Sequence, residues 1–223
     1  QANEVRNKLL SFNKIDPEKV KIEIIKTSGD KFLNTSLSKI GGKGLFTKEI
    51  QQALIDKRID IAVHSMKDVE TDLPEKLVIS TILKREDVRD SFISRRYSSI
   101  ADLPLGSVVG TSSLRRKAQL LNKRKDLKVV EFRGNVQKRL EKLDNNVAVA
   151  TFLATAGLNR LGLDELINPI STDEMLPAVA QGAVGIEHLR SEKMEEFLAP
   201  LNDSVSKKRV EAERAFLREL DGS

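Results

Sequence analysis

Short apolar runs alternate with amphipathic segments along almost the whole chain, and this alternation restricts the fold more than any other feature. Residues 20–25, 59–63, 77–83, 107–110, 128–132 and 147–150 read as strands, because each is a short apolar run rich in Val, Ile or Leu. Residues 45–58, 113–123, 135–143 and 153–161 read as helices, as do 193–198 and 205–220. Phe46, Ile50, Ala53 and Leu54 share one face of the first helix, Leu114, Ala118 and Leu121 one face of the second, and Val136, Leu140 and Leu143 one face of the third. Strands alternating with helices imply an α/β fold with largely parallel sheets. The charged cluster 84–90 reads as a crossover between two domains, or as a solvated loop. The small-residue stretch 178–186, after Pro177, reads as a return crossover into the first domain.

Composition narrows the function. The chain of 223 residues carries 38 basic and 33 acidic side chains, a net charge of +5 that permits an anionic ligand without demanding nucleic acid. Trp is absent and there is one Tyr, so a base-stacking platform is not expected. The absence of cysteine excludes disulfides, cysteine-bound zinc and a cysteine nucleophile within these residues. His64 and His188 lie far apart, and no local spacing supplies carboxylate partners for a metal. No apolar run is long enough to span a membrane, and Gln1 to Arg6 do not open as a secretory leader, so a cytoplasmic protein is expected.

The chemistry gathers after the strands. Val63-His64-Ser65-Met66-Lys67-Asp68-Val69 follows the apolar run 59–63, at the carboxyl edge where open α/β sheets bind ligands. Asp68 can steady a cationic intermediate there, and Lys67 can hold an anionic group; alone, the two would read as a surface ion pair. Gly110-Thr111-Ser112-Ser113-Leu114-Arg115-Arg116 ends a strand and caps a helix, yet puts two arginines in its first turn, against the helix dipole. An anionic ligand would relieve that conflict. Phe132-Arg133-Gly134-Asn135 repeats the geometry: Gly134 permits a tight turn, and Arg139 lies one turn into the next helix. Arg160 ends the following helix, where a cation is favourable with or without a ligand. Lys39-Ile40-Gly41-Gly42-Lys43-Gly44-Leu45-Phe46 lacks the Walker spacing and fits a flexible lid bearing two cations. Lys67, Arg115, Arg116 and Arg133 all follow strands and, in parallel sheets, would converge on a cleft facing a single acid, Asp68. Guanidinium groups bind carboxylates in bidentate fashion, so the pattern alone describes a two-domain α/β binder of a polyanionic small molecule.

These residues resemble the porphobilinogen deaminase (hydroxymethylbilane synthase) family. The resemblance rests on Gly41 to Phe46, Val63 to Val69, Arg85-Glu86-Asp87 with Arg89-Asp90, Gly110 to Arg116, Arg133 to Val136, Ala156 to Leu161, and Pro177 to Gly182, in the family's order. It implies two periplasmic-binding-protein-like domains with mostly parallel sheets, residues 1–84 with 183–202 and residues 85–182. It also implies that 203–223 begin a third, α+β domain that is mostly missing. The implied enzyme is a transferase of tetrapyrrole (haem) biosynthesis. It joins four porphobilinogen units head to tail, with loss of ammonia, on a covalent dipyrromethane primer. By this likeness Asp68 is the catalytic carboxylate, and Lys67, Arg115, Arg116, Arg133, Arg139 and Arg160 hold acetate and propionate groups of primer and substrate. Ser65, Thr111, Ser113 and Gly134 complete the binding set, while Lys39, Lys43 and Phe46 belong to a mobile loop.

The chain departs from the family at three places. The family attaches its primer through a cysteine just after a motif like Leu220-Asp221-Gly222-Ser223, where this sequence stops. The family opens with a strand and a Thr-Arg-x-Ser loop, whereas Gln1 falls within the helix that follows them. Ser28 stands where the family usually has a basic residue. The implied partner is porphobilinogen, acted on by a monomer without nucleic acid or membrane. The alternative is a non-catalytic two-lobed binding module for a polycarboxylate small molecule. Asp68 disfavours it, since a carboxylate facing anionic ligands hinders mere binding.

Overall fold

The computed structural model describes residues 1–28, 44 and 46–220. They form two compact units, one built from the chain up to Glu86 together with the segment from Val179 onward, the other from Asp87 to Ala178.

The sheet of the first unit has the order β1 (Ala62–Ser65), β7 (Val184–Leu189), β2 (Leu77–Ile82), and both of its ladders are antiparallel. Helix α1 (Ala2–Asn13) and helix α6 (Glu192–Leu198) cover one face, where Val5, Leu9 and Leu198 pack with Val184 and Ile186. Helix α2 (Lys48–Ile55) and helix α7 (Ser204–Glu219) belong to the other, through Leu54 with Ala62 and Leu77, and Val210 with Met66 and Ile82. Burying each such large apolar side chain is worth about 1.5–3 kcal/mol.

Parallel pairing appears in the second unit. Its sheet has the order β3 (Asp90–Ser94), β6 (Ala150–Ala154), β4 (Val108–Gly110), β5 (Lys128–Val130), with β4 parallel to both its neighbours and β3 antiparallel to β6. Helix α3 (Leu114–Lys123) lies on one face, where Leu120 packs against Phe92, Val109 and Phe152. Helices α4 (Val136–Asp144) and α5 (Thr155–Leu161) lie on the other, where Leu140, Leu143 and Leu158 meet Ile93, Phe132 and Leu153. Strands covered on both faces read as continuous apolar runs, which is why this unit alternates so legibly.

Four expectations need correction. Residues 20–25 pair with no described strand, and Ile24 is 85 % exposed; an apolar run becomes a strand only where a ladder partner lies beside it. The stretch read as a return crossover does carry the chain back into the first unit at Val179, but it also holds the start of β7, the central strand of its sheet, which the reading did not include. Its glycines and Glu187 masked the strand signal. Gly185 is needed there, because a Cβ would stand 2.2 Å from Met66 Sδ. The strand expected at 147–150 forms instead at Ala150–Ala154, where both faces are buried, and takes Leu153 and Ala154 from the expected helix. Finally, α3 is rolled so that Arg116 and Leu120 face inward while Leu114 is 73 % exposed and Ala118 faces solvent. A buried ion pair of Arg116, described below, sets that roll.

Candidate active site

Asp68 closes a single turn of 3-10 helix, Met66–Asp68, directly after β1. Met66 is buried among Val69, Ile82, Ala180 and Ala183, and its backbone N–H donates to the Ala183 carbonyl at 3.0 Å, so the turn is pinned while Lys67 and Asp68 point outward. Solvent reaches the Asp68 residue, yet protein atoms crowd its carboxyl. This loss of hydration pushes the pKa above the ordinary 3.8, against the opposing pull of Lys67, His64 and a hydrogen bond from Ser65. A carboxylate with a raised pKa, beside an ammonium and a hydroxyl, is suited to accept a proton and to face a developing cation.

Behind the turn lies a buried polar group that the sequence reading missed. His64 is 5 % exposed and Glu187 fully buried. His64 Nε2 lies 2.8 Å from Glu187 Oε2, and Gln51 Nε2 donates to Glu187 Oε1 at 3.0 Å. The register explains the meeting: Ala62 pairs with Glu187 and His64 with Gly185, so the two side chains are diagonal neighbours on one face, the face covered by α2. Gln51 could have been found by its place one turn before Leu54 on the buried stripe of that helix.

The second unit holds the cations. Arg115 and Arg116 do open a helix, but a carboxylate already meets them: Asp90, fully buried at the start of β3. Arg116 contacts Asp90 Oδ1 at 2.7 Å and Arg115 contacts Oδ2 at 2.8 Å. The two guanidinium groups hold the Asp90 carboxyl below its ordinary range although burial alone would raise it. The expectation that Asp68 is the single acid facing the arginines is thereby corrected. Arg116 also donates to the Phe152 carbonyl at 2.9 Å, and its buried Nε–H has no acceptor among the described residues. Arg139 donates to the Gly134 carbonyl at 2.9 Å; burial, with the charges of Arg116 and Arg133, lowers its pKa to about 10. Three like charges in a partly dehydrated place favour an incoming anion.

The remaining candidates are distributed as follows. Thr111 is buried and its Oγ1 accepts the Ser113 N–H at 3.2 Å; Ser113 caps α3 by accepting the Arg116 N–H at 3.4 Å. Both hydroxyls thus set the turn, and each keeps its own proton to donate. Gly134 has φ +122, and a Cβ there would lie 2.9 Å from the Cβ of Lys138. Arg160 is in the last turn of α5. Ser28 bonds Glu49 through both its amide and its hydroxyl. Phe46 is 37 % exposed, and Lys39 and Lys43 lie outside the described residues.

Known proteins decide what this chemistry belongs to. Residues 1–196 match the family model described as "Porphobilinogen deaminase, dipyromethane cofactor binding domain". The whole chain is 55 % identical to the porphobilinogen deaminase of Paracoccus denitrificans, spanning 72 % of that protein. This chain belongs to the porphobilinogen deaminase family. It is also 55 % identical to the chloroplastic porphobilinogen deaminase of Pisum sativum, and spans 62 % of that length. In fold it is similar to a periplasmic substrate-binding protein of an ABC transporter from Coxiella burnetii (TM-score 0.53, 13 % identity, covering 96 % of this chain and 91 % of that one). It is likewise similar to the VFT2 domain of BvgS from Bordetella pertussis (TM-score 0.52, 14 % identity, 96 % and 82 % covered). The α/β architecture resembling periplasmic binding proteins is thus confirmed.

A dipyrromethane bears several carboxylates, and the deaminase-family residues of the second unit fit it. The orphaned Arg116 Nε–H and the mutual repulsion of Arg116, Arg133 and Arg139 would both be relieved by carboxylates.

Proposed function

We propose that this chain supplies the catalytic carboxylate and the carboxylate-binding cations of a hydroxymethylbilane synthase, which condenses four porphobilinogen units head to tail and releases ammonia. The observation that carries the reading is the seat of Asp68: a pinned turn, a carboxyl pushed up by crowding, and Lys67 and Ser65 beside it. The family membership and the enzyme name of the relatives support the same reading and give none to a non-catalytic binding module.

In this reading Asp68 has two tasks. It accepts and returns protons at the pyrrole nitrogen of the substrate, and it faces the positive charge that develops as ammonia leaves the aminomethyl carbon. Lys67 and Ser65 keep that carboxylate oriented. Arg115, Arg116, Arg133, Arg139 and Arg160 hold acetate and propionate groups, with Thr111, Ser113 and the Gly134 turn shaping the place that receives them. A bound dipyrromethane supplies the free pyrrole position to which units are added. Residues 203–223 would lead toward a third α+β domain, with residues 1–84 and 183–202 as the first and 85–182 as the second. Among the described residues no helix is long and apolar enough to cross a membrane. The reading takes the protein to act as a cytoplasmic monomer, without nucleic acid. The test is Asp68→Asn in the full-length protein: turnover is expected to fall by about 10²–10⁴-fold with the fold intact, and near-normal turnover would refute the assignment.

A further inference from the structure

Glu187 is a fully buried acid in the middle of a central strand, and the mechanism above makes no use of it. Burying a carboxylate is costly unless it is bonded and its charge is met. Both oxygens of Glu187 are bonded, one by Gln51 and the other by His64. Packing alone does not call for such a group: apolar side chains of similar volume commonly stabilise a core at least as well as a buried ion pair. The bonding partner shows where the group acts. His64 lies on β1, and the turn carrying Asp68 follows that strand immediately.

Building on the assignment of Asp68 above, we propose that Glu187 is a positioning residue for the catalytic carboxylate: through His64 it anchors the buried side of the Asp68 turn and keeps a positive ring beside it. The charged neighbours agree in sign. Glu187 on β7 meets the His64 ring at 2.8 Å. Arg214 on α7 interacts electrostatically with Glu187. Gln51 on α2 binds it without competing for the charge. Lys67 and His64 then act together on Asp68 from the turn and from beneath it, countering the dehydration of its carboxyl. Arg214 also donates to the carbonyls of Val69, Glu70 and Thr71, so the segment just after the turn is fixed from the same side.

The test uses the full-length, primer-bearing enzyme and two readouts. The acidic limb of kcat/KM against pH follows ionisation of Asp68 in the free enzyme. Glu187→Gln keeps the size and the hydrogen-bonding reach but removes the charge. The limb is expected to move to higher pH by on the order of 0.5–1 unit. His64→Gln should give the same displacement, and the double variant no more than either single one, as for residues acting in one chain of contacts. The second readout needs no turnover. The chain has two histidines, so the ring titration of His64 followed by NMR is separated from that of His188 with one assignment variant. It should fall to lower pH in Glu187→Gln. A loss of rate with an unmoved limb, or an unmoved His64 titration, would overturn the proposal. If Glu187→Gln does not fold, His64→Gln decides: a folded enzyme with the limb in place overturns it. If Asp68→Asn itself retains turnover, the assignment of Asp68 fails instead, and the His64 titration still reports whether Glu187 sets the ring's charge.

Discussion

Asp68 and Asp90 are the same side chain at two strand ends, and the molecule shifts their acidities in opposite directions. Burial raises both. Asp90 is met head-on by two guanidinium groups at 2.7 and 2.8 Å, and its charge is overcompensated. Asp68 has an ammonium, a histidine and a hydroxyl, and crowding wins. The contrast separates two uses of a carboxylate. One fixes two arginines, those proposed to receive ligand anions; the other is left under-compensated, which is the condition for a group that must trade protons or meet a transient cation.

The contrast can be broken most forcefully by Asp68→Asn, expected to lower turnover of the full-length enzyme by about 10²–10⁴-fold while circular dichroism shows an unchanged fold. Asp90→Asn should behave oppositely. It strands the buried Arg116 and the half-buried Arg115, so unfolding in urea should reveal a loss of about 3–5 kcal/mol. Loss of turnover without loss of stability in that variant would erase the distinction. Next comes Arg139→Gln, which removes one of three mutually repelling charges. Isothermal titration with a dipyrrole polycarboxylate should show binding about 10-fold weaker, with little change in the stability of the ligand-free protein. Gly134→Ala should cost about 1–3 kcal/mol in thermal unfolding, from backbone strain and the approach to Lys138.

Acid unfolding sharpens the same comparison. The folded-state pKa of Asp90 is depressed, so its contribution is complete above the unfolded value near 3.8 and is lost as pH falls through the lower, folded value. The folded-state pKa of Asp68 is raised, so its contribution is complete below 3.8 and is lost as pH rises through the folded value. At neutral pH, Asp68→Asn should therefore leave the protein slightly more stable. The gain should stay under about 1 kcal/mol because solvent reaches the residue. A destabilised Asp68→Asn would place Asp68 among structural residues.

Much of this was legible from residues that stand next to one another in the chain. Lys67 and Asp68, Arg115 and Arg116, and Arg133 with Gly134 follow apolar runs, and the turn after a buried strand is where α/β proteins gather chemistry. What stayed hidden were the partners. Asp90 lies 26 residues before Arg116, inside a charged cluster that looks solvated, and Glu187 lies 123 residues after His64, in a strand whose glycines disguise it. The roll of α3 was misread for the same reason: apolar spacing favoured Leu114 and Ala118, but the ion pair to Asp90 turned Arg116 inward. Pattern reports the face that water avoids; it cannot report a charge that is buried because its opposite is already there.

The position of β7 between β1 and β2 bears on how the protein is made. A ribosome delivers β1 and β2 early, yet the strand that must lie between them emerges only after all of residues 87–178. The early half therefore waits, with two strand edges unpaired, while the later-made unit already has its complete sequence and can fold ahead of it. During that interval the turn bearing Asp68 lacks the Ala183 carbonyl that pins it. Vectorial synthesis thus makes the turn bearing Asp68 take shape after the second unit can, and leaves the first strands of the nascent chain in most need of chaperone cover.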